Sequence, residues 1–396
     1  MRRRPFMLAM AAAPVALAGC TALVGAVQPI GTGDLGVVIQ RAKGRLSVVN
    51  TSTREIIGEV DGLGDLSHAS VVFSRDARFA YVFGRDGGLT KVNLLTQVIE
   101  ARVMQAGNSI GGAISADGKV VVAQNYKPGG IKVFDAETLA LRLDLPARYG
   151  NGELSRVVGL VDLPNRHFAY SLFDADEIWV VDCNDLANPK ISRYKQIGRQ
   201  PYDALVTPNG RHYIAGLFGQ DGLAMIDLWA KTPKVQHILT GYGRGSQPLP
   251  VYKMPHLRGW AVAGRRAYLP AIGRHEVLVV DTESWQEVDR IPVAGQPVFV
   301  MARPDGRQVW VNFSVPDYNR VQVIDTLNNR VLATLNPGKA VLHMEFTPRG
   351  ESVWISARDD HQVVVVDTET LRTQKTLTVD APSGIFFTAR ANRVGF

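Results

Sequence analysis

The residues of this chain that could do chemistry are scattered singly along it. Ser67-His68 precedes one apolar run, and Arg156 precedes another, after the loop Tyr149-Gly-Asn-Gly-Glu153. Tyr202-Asp203 follows Gly198-Arg199-Gln-Pro201, His256 and Arg258 lie beyond a Gly- and Pro-rich stretch, and His343 and Glu345 belong to the run Val341–Phe346. Imidazoles bind metal ions, guanidiniums neutralise carboxylates, and a Tyr-Asp pair can pass a proton. Gathered at one place, these groups would hold a metal-containing anion. Continuous motifs are missing: no phosphate-binding Gly-Lys-Ser/Thr loop, no Gly-x-Ser-x-Gly elbow, no His-Glu-x-x-His, no Cys-x-x-Cys-His and no nicotinamide or flavin fingerprint.

Gathering single residues requires a scaffold, and the sequence repeats one. A β-branched apolar phrase ending in Asn or Asp recurs eight times, ending at Asn50, Asn93, Asp135, Asp182, Asp227, Asp281, Asp325 and Asp367, spaced 42 to 54 residues apart. Before most copies stands a turn such as Ala116-Asp-Gly118, Pro208-Asn-Gly210 or Pro304-Asp-Gly306. Two more apolar runs flank that turn, and a polar run follows the phrase. Four antiparallel strands per unit at this period predict an all-β fold, an eight-bladed β-propeller. The first unit lacks an innermost strand while Gly384–Arg390 is spare, with a turn expected at Ala391-Asn392. The chain's end is therefore expected to complete the first blade and hide two sheet edges. In such a ring the polar residues that open each innermost strand face the central channel. Thr240–Pro250 is expected as an inserted loop, where function often sits.

The ends and the charge narrow the class. Arg2-Arg3-Arg4 followed by the short apolar stretch Phe6–Ala18 is a leader rather than a membrane span. Leu17-Ala-Gly-Cys20 matches the bacterial lipoprotein processing box, so Cys20 is the expected lipidation site. The expected organisation is a signal peptide over 1–19, lipidated Cys and linker over 20–34, and the propeller over 35–396, in the periplasm and anchored to a membrane. Cys183 is then the one remaining thiol, with no intramolecular partner. The net charge of +7 includes three leader arginines and no basic run interleaved with aromatics, which argues against nucleic acid and suits an anionic ligand.

Ser67–Gly88, running on into Lys91-Val-Asn-Leu94, resembles the heme-binding propeller of cytochrome cd1 nitrite reductase. Arg156-Val-Val, Val341–Phe346 and Pro382–Phe386 carry the same resemblance, which spans essentially the whole chain beyond residue 35. That propeller is eight-bladed and holds heme d1 in its channel. The chain lacks a cytochrome c domain, which together with its leader makes it similar to the periplasmic branch required for heme d1 biosynthesis. The resemblance implies that heme d1 or an iron-containing precursor is the ligand. It further implies that His68 is its axial iron ligand and that Arg156 lies by its carboxylates; Arg85 lies in the shared Gly-Arg-Asp-Gly stretch, where a turn role is equally open, and Arg199 is a further ligand-binding candidate. His256, Arg258 and His343 are further ligand-binding candidates. Tyr202-Asp203 stands where the reductase has a distal His followed by Asp, which argues against nitrite reduction and leaves Tyr202 and Asp203 as candidates for catalytic proton transfer. Two functions are expected: a dehydrogenase-like oxidoreductase acting on a late precursor, or a non-catalytic carrier. The carrier would deliver heme d1 to the next pathway protein or to nitrite reductase. A protein-binding scaffold is a third class, and a homodimer is an open assembly.

Overall fold

The computed structural model describes residues 31–243, 260–271 and 273–393. Eight four-stranded antiparallel sheets, with the turns and loops that join their strands, account for nearly all of them. In blade 2, Ser70–Phe73, Phe79–Phe83, Gly88–Asn93 and Val98–Met104 pair in sequence order. Blades 3 to 8 repeat the pattern, with first strands at Asn108–Ile114, Val157–Leu163, Pro201–Val206, Ala261–Ala263, Pro297–Ala302 and Val341–Phe346. Blade 1 is built from both ends of the propeller. Leu35–Gln40, Arg45–Asn50 and Glu55–Val60 receive their innermost strand from Pro382–Phe387, with Gly36 opposite Phe387. Eight blades and closure by the chain's end are as the sequence predicts. The expected turn at Ala391-Asn392 is instead part of a 3-10 segment, Thr388–Asn392, because Leu35–Gln40 already fills the place beside Pro382–Phe387 that a hairpin partner would take.

The recurring phrase has a structural cause. It forms the third strand, covered by neighbouring blades on both faces, as in Gln362–Asp367, where Val363 to Val366 are all buried. Its terminal Asn or Asp caps the turn that follows. Oδ1 of Asn50 accepts the amides of Ser52 and Thr53, Asp135 those of Glu137 and Thr138, and Asp367 those of Glu369 and Thr370. A side chain that mimics a backbone acceptor holds the turn closed. The turns between first and second strands use left-handed residues, Gly118 at φ 70° and Gly306 at φ 73° among them. The fourth strands face solvent and alternate, as in Arg330–Leu335.

The core lies between blades. Trp310, Val321 and Val323 of blade 7 pack with Met344, Ile355 and Val364 of blade 8, and Trp354 of blade 8 meets Phe387 of blade 1 edge-on at 5.4 Å. Trp179, Trp310 and Trp354 are blade core, as expected. Each first strand runs from one end of the channel to the other. Loops from fourth to first strand and from second to third strand therefore crowd one end, the mouth. The remaining turns, with the tail Thr388–Asn392, form the opposite end, the floor.

Candidate functional site

The first strands do not run straight past the axis. Pairing with the second strand skips two residues in blades 5, 7 and 8: Tyr202-Asp203, Val298-Phe299 and Leu342-His343 fall in equivalent bulges. A bulge re-aims side chains and frees a backbone N–H that needs a new partner. Side chains supply it. Phe299 N donates to Asn312 Oδ1, His343 N to Ser356 Oγ and Ala204 N to Asp203 Oδ1. The bulge therefore delivers Tyr202, Asp203 and His343 to the channel, a cause no single-strand pattern shows.

His68 sits at the mouth, exposed, on a bend that enters blade 2. The bend is held residue by residue. Ser67 N donates to Asp65 Oδ1 at 2.8 Å, and Arg41 Nη2 donates to Ser67 O at 2.6 Å. Arg85 N donates to Asp65 O at 2.8 Å. Arg85 lies on the second-to-third-strand loop of the same blade.

Next to blade 2 around the mouth, blades 3, 4 and 5 build an aromatic wall. The Tyr126 and Tyr202 hydroxyls share a hydrogen bond of 2.8 Å. Phe173 lies edge-on to Tyr202 at 6.0 Å and 5.7 Å from Phe218, which is itself 6.2 Å from Tyr202. The Arg156 guanidinium stacks over Phe173 at 4.2 Å and is clamped by the Asp174 carboxylate, which also accepts Arg156 N at 2.9 Å. Asp174 holds Arg156 protonated well above the usual range, and Arg156 in turn keeps the Asp174 carboxyl low against the opposing effect of burial. Burial pushes the Tyr202 phenol far above its ordinary value, so it stays a donor at any physiological pH, and the Tyr126 phenol is raised by the same cause. A cavity of about 460 Å³ opens beside this wall, lined by Tyr149, Phe173, Asp174, Asp176, Arg199, Gln200 and Gly219.

Of the residues singled out in the sequence, His68, Arg85, Arg156, Arg199, Tyr202 and Asp203 all lie at the mouth. His343 occupies in blade 8 the bulge position that Asp203 holds in blade 5, and lies between the rings of Phe299 (6.2 Å) and Phe386 (5.4 Å). Its Nδ1 accepts Ile385 N, so the ring proton resides on Nε2, and burial pushes its pKa down to about 3. Glu345 is not an axial acid facing a ligand: it is buried and bonded to Arg390 at the floor. His256, Arg258 and Cys20 lie outside the described residues, as does most of the loop Thr240–Pro250. Cys183 is buried, its thiol pushed up to about 12, which makes it inert. Among the described residues no three His, Cys, Asp or Glu side chains gather as a metal cluster. Sequence reasoning missed Tyr126, Phe173, Asp174 and Phe218, which end second strands or follow them and look like blade core in one dimension.

The family model for the Cytochrome D1 heme domain matches residues 30–391. Protein NirF of Stutzerimonas stutzeri is 58% identical over 395 residues, 99% of each chain, and Protein NirF of Pseudomonas aeruginosa is 54% identical over 96% of each. The chain belongs to the cytochrome d1 heme domain family, among the NirF proteins. A dihydro-heme d1 dehydrogenase of Pseudomonas aeruginosa is 28% identical over 92% of this chain and 72% of its own length. The structure of dihydro-heme d1 dehydrogenase NirN in complex with DHE matches with a TM-score of 0.80 at 24% identity, over 92% of this chain and 78% of that one. AztD of Citrobacter koseri follows the same fold at a TM-score of 0.62 and 10% identity. NirF membership ties this propeller to heme d1 biosynthesis.

Proposed function

We propose that the protein binds a heme d1 precursor at the mouth of its channel and takes part in a late modification of a tetrapyrrole side chain. One observation carries this reading. A single imidazole on a braced bend, two guanidiniums and a hydrogen-bonded phenol pair stand at the same end of the channel in a heme-domain family member. The donor set fits a planar, carboxylate-bearing iron macrocycle. His68 offers one axial ligand, Arg85 and Arg156 offer charge to carboxylates, and the wall of Phe173, Tyr202 and Phe218 offers apolar surface. Bound iron would supply a redox-active centre beside the side chain to be changed.

This chain's own groups would manage protons and position. Tyr202 stays protonated and donates. Proton acceptance falls to Asp203, the adjacent carboxylate in the same bulge. Removing two hydrogens from a side chain releases two protons, one to Asp203 and one to solvent, and two electrons, which would pass one at a time to two equivalents of a one-electron-accepting redox protein. Cys20 lipidation would hold the protein at a membrane in the periplasm. Nitrite reductase or other heme d1 pathway proteins would collect the product.

A carrier role is favoured by a different observation, the exposure of His68 at an open mouth, which suits a ligand that must leave again. Incubating the protein with the dihydro precursor and an electron acceptor, followed by mass analysis, separates the two. Loss of two mass units by wild type, abolished in Asp203→Asn with binding intact, supports the enzyme. Unchanged mass with transfer to a second protein supports the carrier.

A further inference from the structure

Tyr126 ends the second strand of blade 3, Val120–Lys127, and Tyr202 sits in the bulge of blade 5. Blade 4 stands between them, yet their hydroxyls meet at 2.8 Å. The approach depends on Gly159 in the blade 4 bulge, at φ 61°. A Cβ there would lie 2.8 Å from Tyr202 O and 2.9 Å from Ala204 N, so only glycine lets the blade 5 strand come this close.

Two hydroxyls carry two protons, and one bond between them uses one. Neither hydroxyl has another hydrogen-bond partner among the described residues. Whichever phenol donates to the other, the acceptor's proton is left for a group in the channel. Both phenols feel the positive field of Arg85 and, against it, the Asp203 carboxylate, which outweighs Arg85 at Tyr202; at Tyr126 Arg85 and Arg156 both act ahead of Asp203, so the spare proton meets an anion best on the Tyr126 side. The rings of Phe173 and Phe218 back Tyr202 and limit its alternatives.

We propose that Tyr126 and Tyr202 act as one hydrogen-bond donor that holds a carboxylate side chain of the tetrapyrrole between Arg85 and Arg156. The proposal rests on the heme d1 reading above. Tyr126 has a share equal to that of Tyr202, because removing either hydroxyl breaks the arrangement that points the spare proton. The pair is non-additive for the same reason.

The test is a spectral titration of the purified protein with heme d1 and with its carboxylate methyl esters. Tyr126→Phe and Tyr202→Phe are each expected to weaken heme d1 binding about tenfold, the scale of a hydrogen bond to a charged group. The double variant is expected to bind no worse than about threefold below the weaker single variant. The esters are expected to bind wild type and variants alike. Wild-type affinity in Tyr126→Phe overturns the proposal, as do losses that multiply in the double variant. An ester that still discriminates wild type from variants also overturns it, since the group held is then not a carboxylate. Absence of heme d1 binding by wild type overturns the heme d1 reading and the proposal together.

Discussion

Arg390 Nε donates to Glu345 Oε1 at 2.7 Å, and Arg390 Nη2 bonds the second oxygen, so the floor of the channel is a bidentate ion pair between the chain's tail and blade 8. Arg75 braces the same tail. Its guanidinium donates to the carbonyls of Ile114, Ser115 and Ala391. The cavity left there, about 20 Å³ beside Arg75, Asp162 and Arg390, has room for one water. The cavity of about 460 Å³ beside Phe173 and Arg199 lies at the other end, the mouth.

That floor should carry stability. Arg390→Ala leaves the Glu345 carboxylate buried without its partner, at a cost of about 3–5 kcal/mol. Arg390→Lys keeps a charge but loses the fork and should fall between. Urea unfolding of the three proteins checks the order, and an Arg390→Ala protein as stable as wild type would contradict it.

Much of this fold is legible in the sequence because the repeat is local. The Asn/Asp-terminated phrase is a third strand plus its cap, and Asn50, Asp135 and Asp367 each close the same turn with the same atoms. Even closure by Pro382–Phe387 follows from counting strands. The site is less legible. His68 and Arg156 open strands and can be found by position. Tyr202 and His343 are brought to the channel by bulges, which are events in strand pairing and leave no mark on a single strand. Tyr126 reads as blade core, and its partner is 76 residues away.

The neutral His343 imidazole should give the protein an acid-sensitive stability. Its folded pKa, about 3, lies below the ordinary value of 6.5, with burial the main cause and Arg390 adding repulsion. Between those values the unfolded chain binds the extra proton, so stability falls as pH drops from 6.5 toward 3, by about 1.4 kcal/mol per pH unit from this residue. Above 6.5 the residue contributes no slope. The difference in unfolding free energy between wild type and His343→Gln, followed from pH 7 to pH 4.5, should grow in the variant's favour with that slope. A pH-independent difference would show that the ring is not held neutral.

Arg41 should matter to the ligand without touching it. Its Nη2 holds Ser67 O, the residue before His68, and burial together with Arg358 makes its charge costly to keep there. Arg41→Gln is expected to weaken heme d1 binding several-fold and to shift the bound spectrum toward that of a His68 variant, with partial rescue by Arg41→Lys. A merely structural role would lower the unfolding midpoint and leave the bound spectrum unchanged.

The most direct measurement is a spectral titration of the soluble propeller with heme d1, wild type beside His68→Ala. Saturable binding is expected for wild type, with an axial-histidine spectrum that His68→Ala abolishes. An unchanged spectrum in His68→Ala, or no binding by wild type, would contradict a tetrapyrrole held at the mouth through His68.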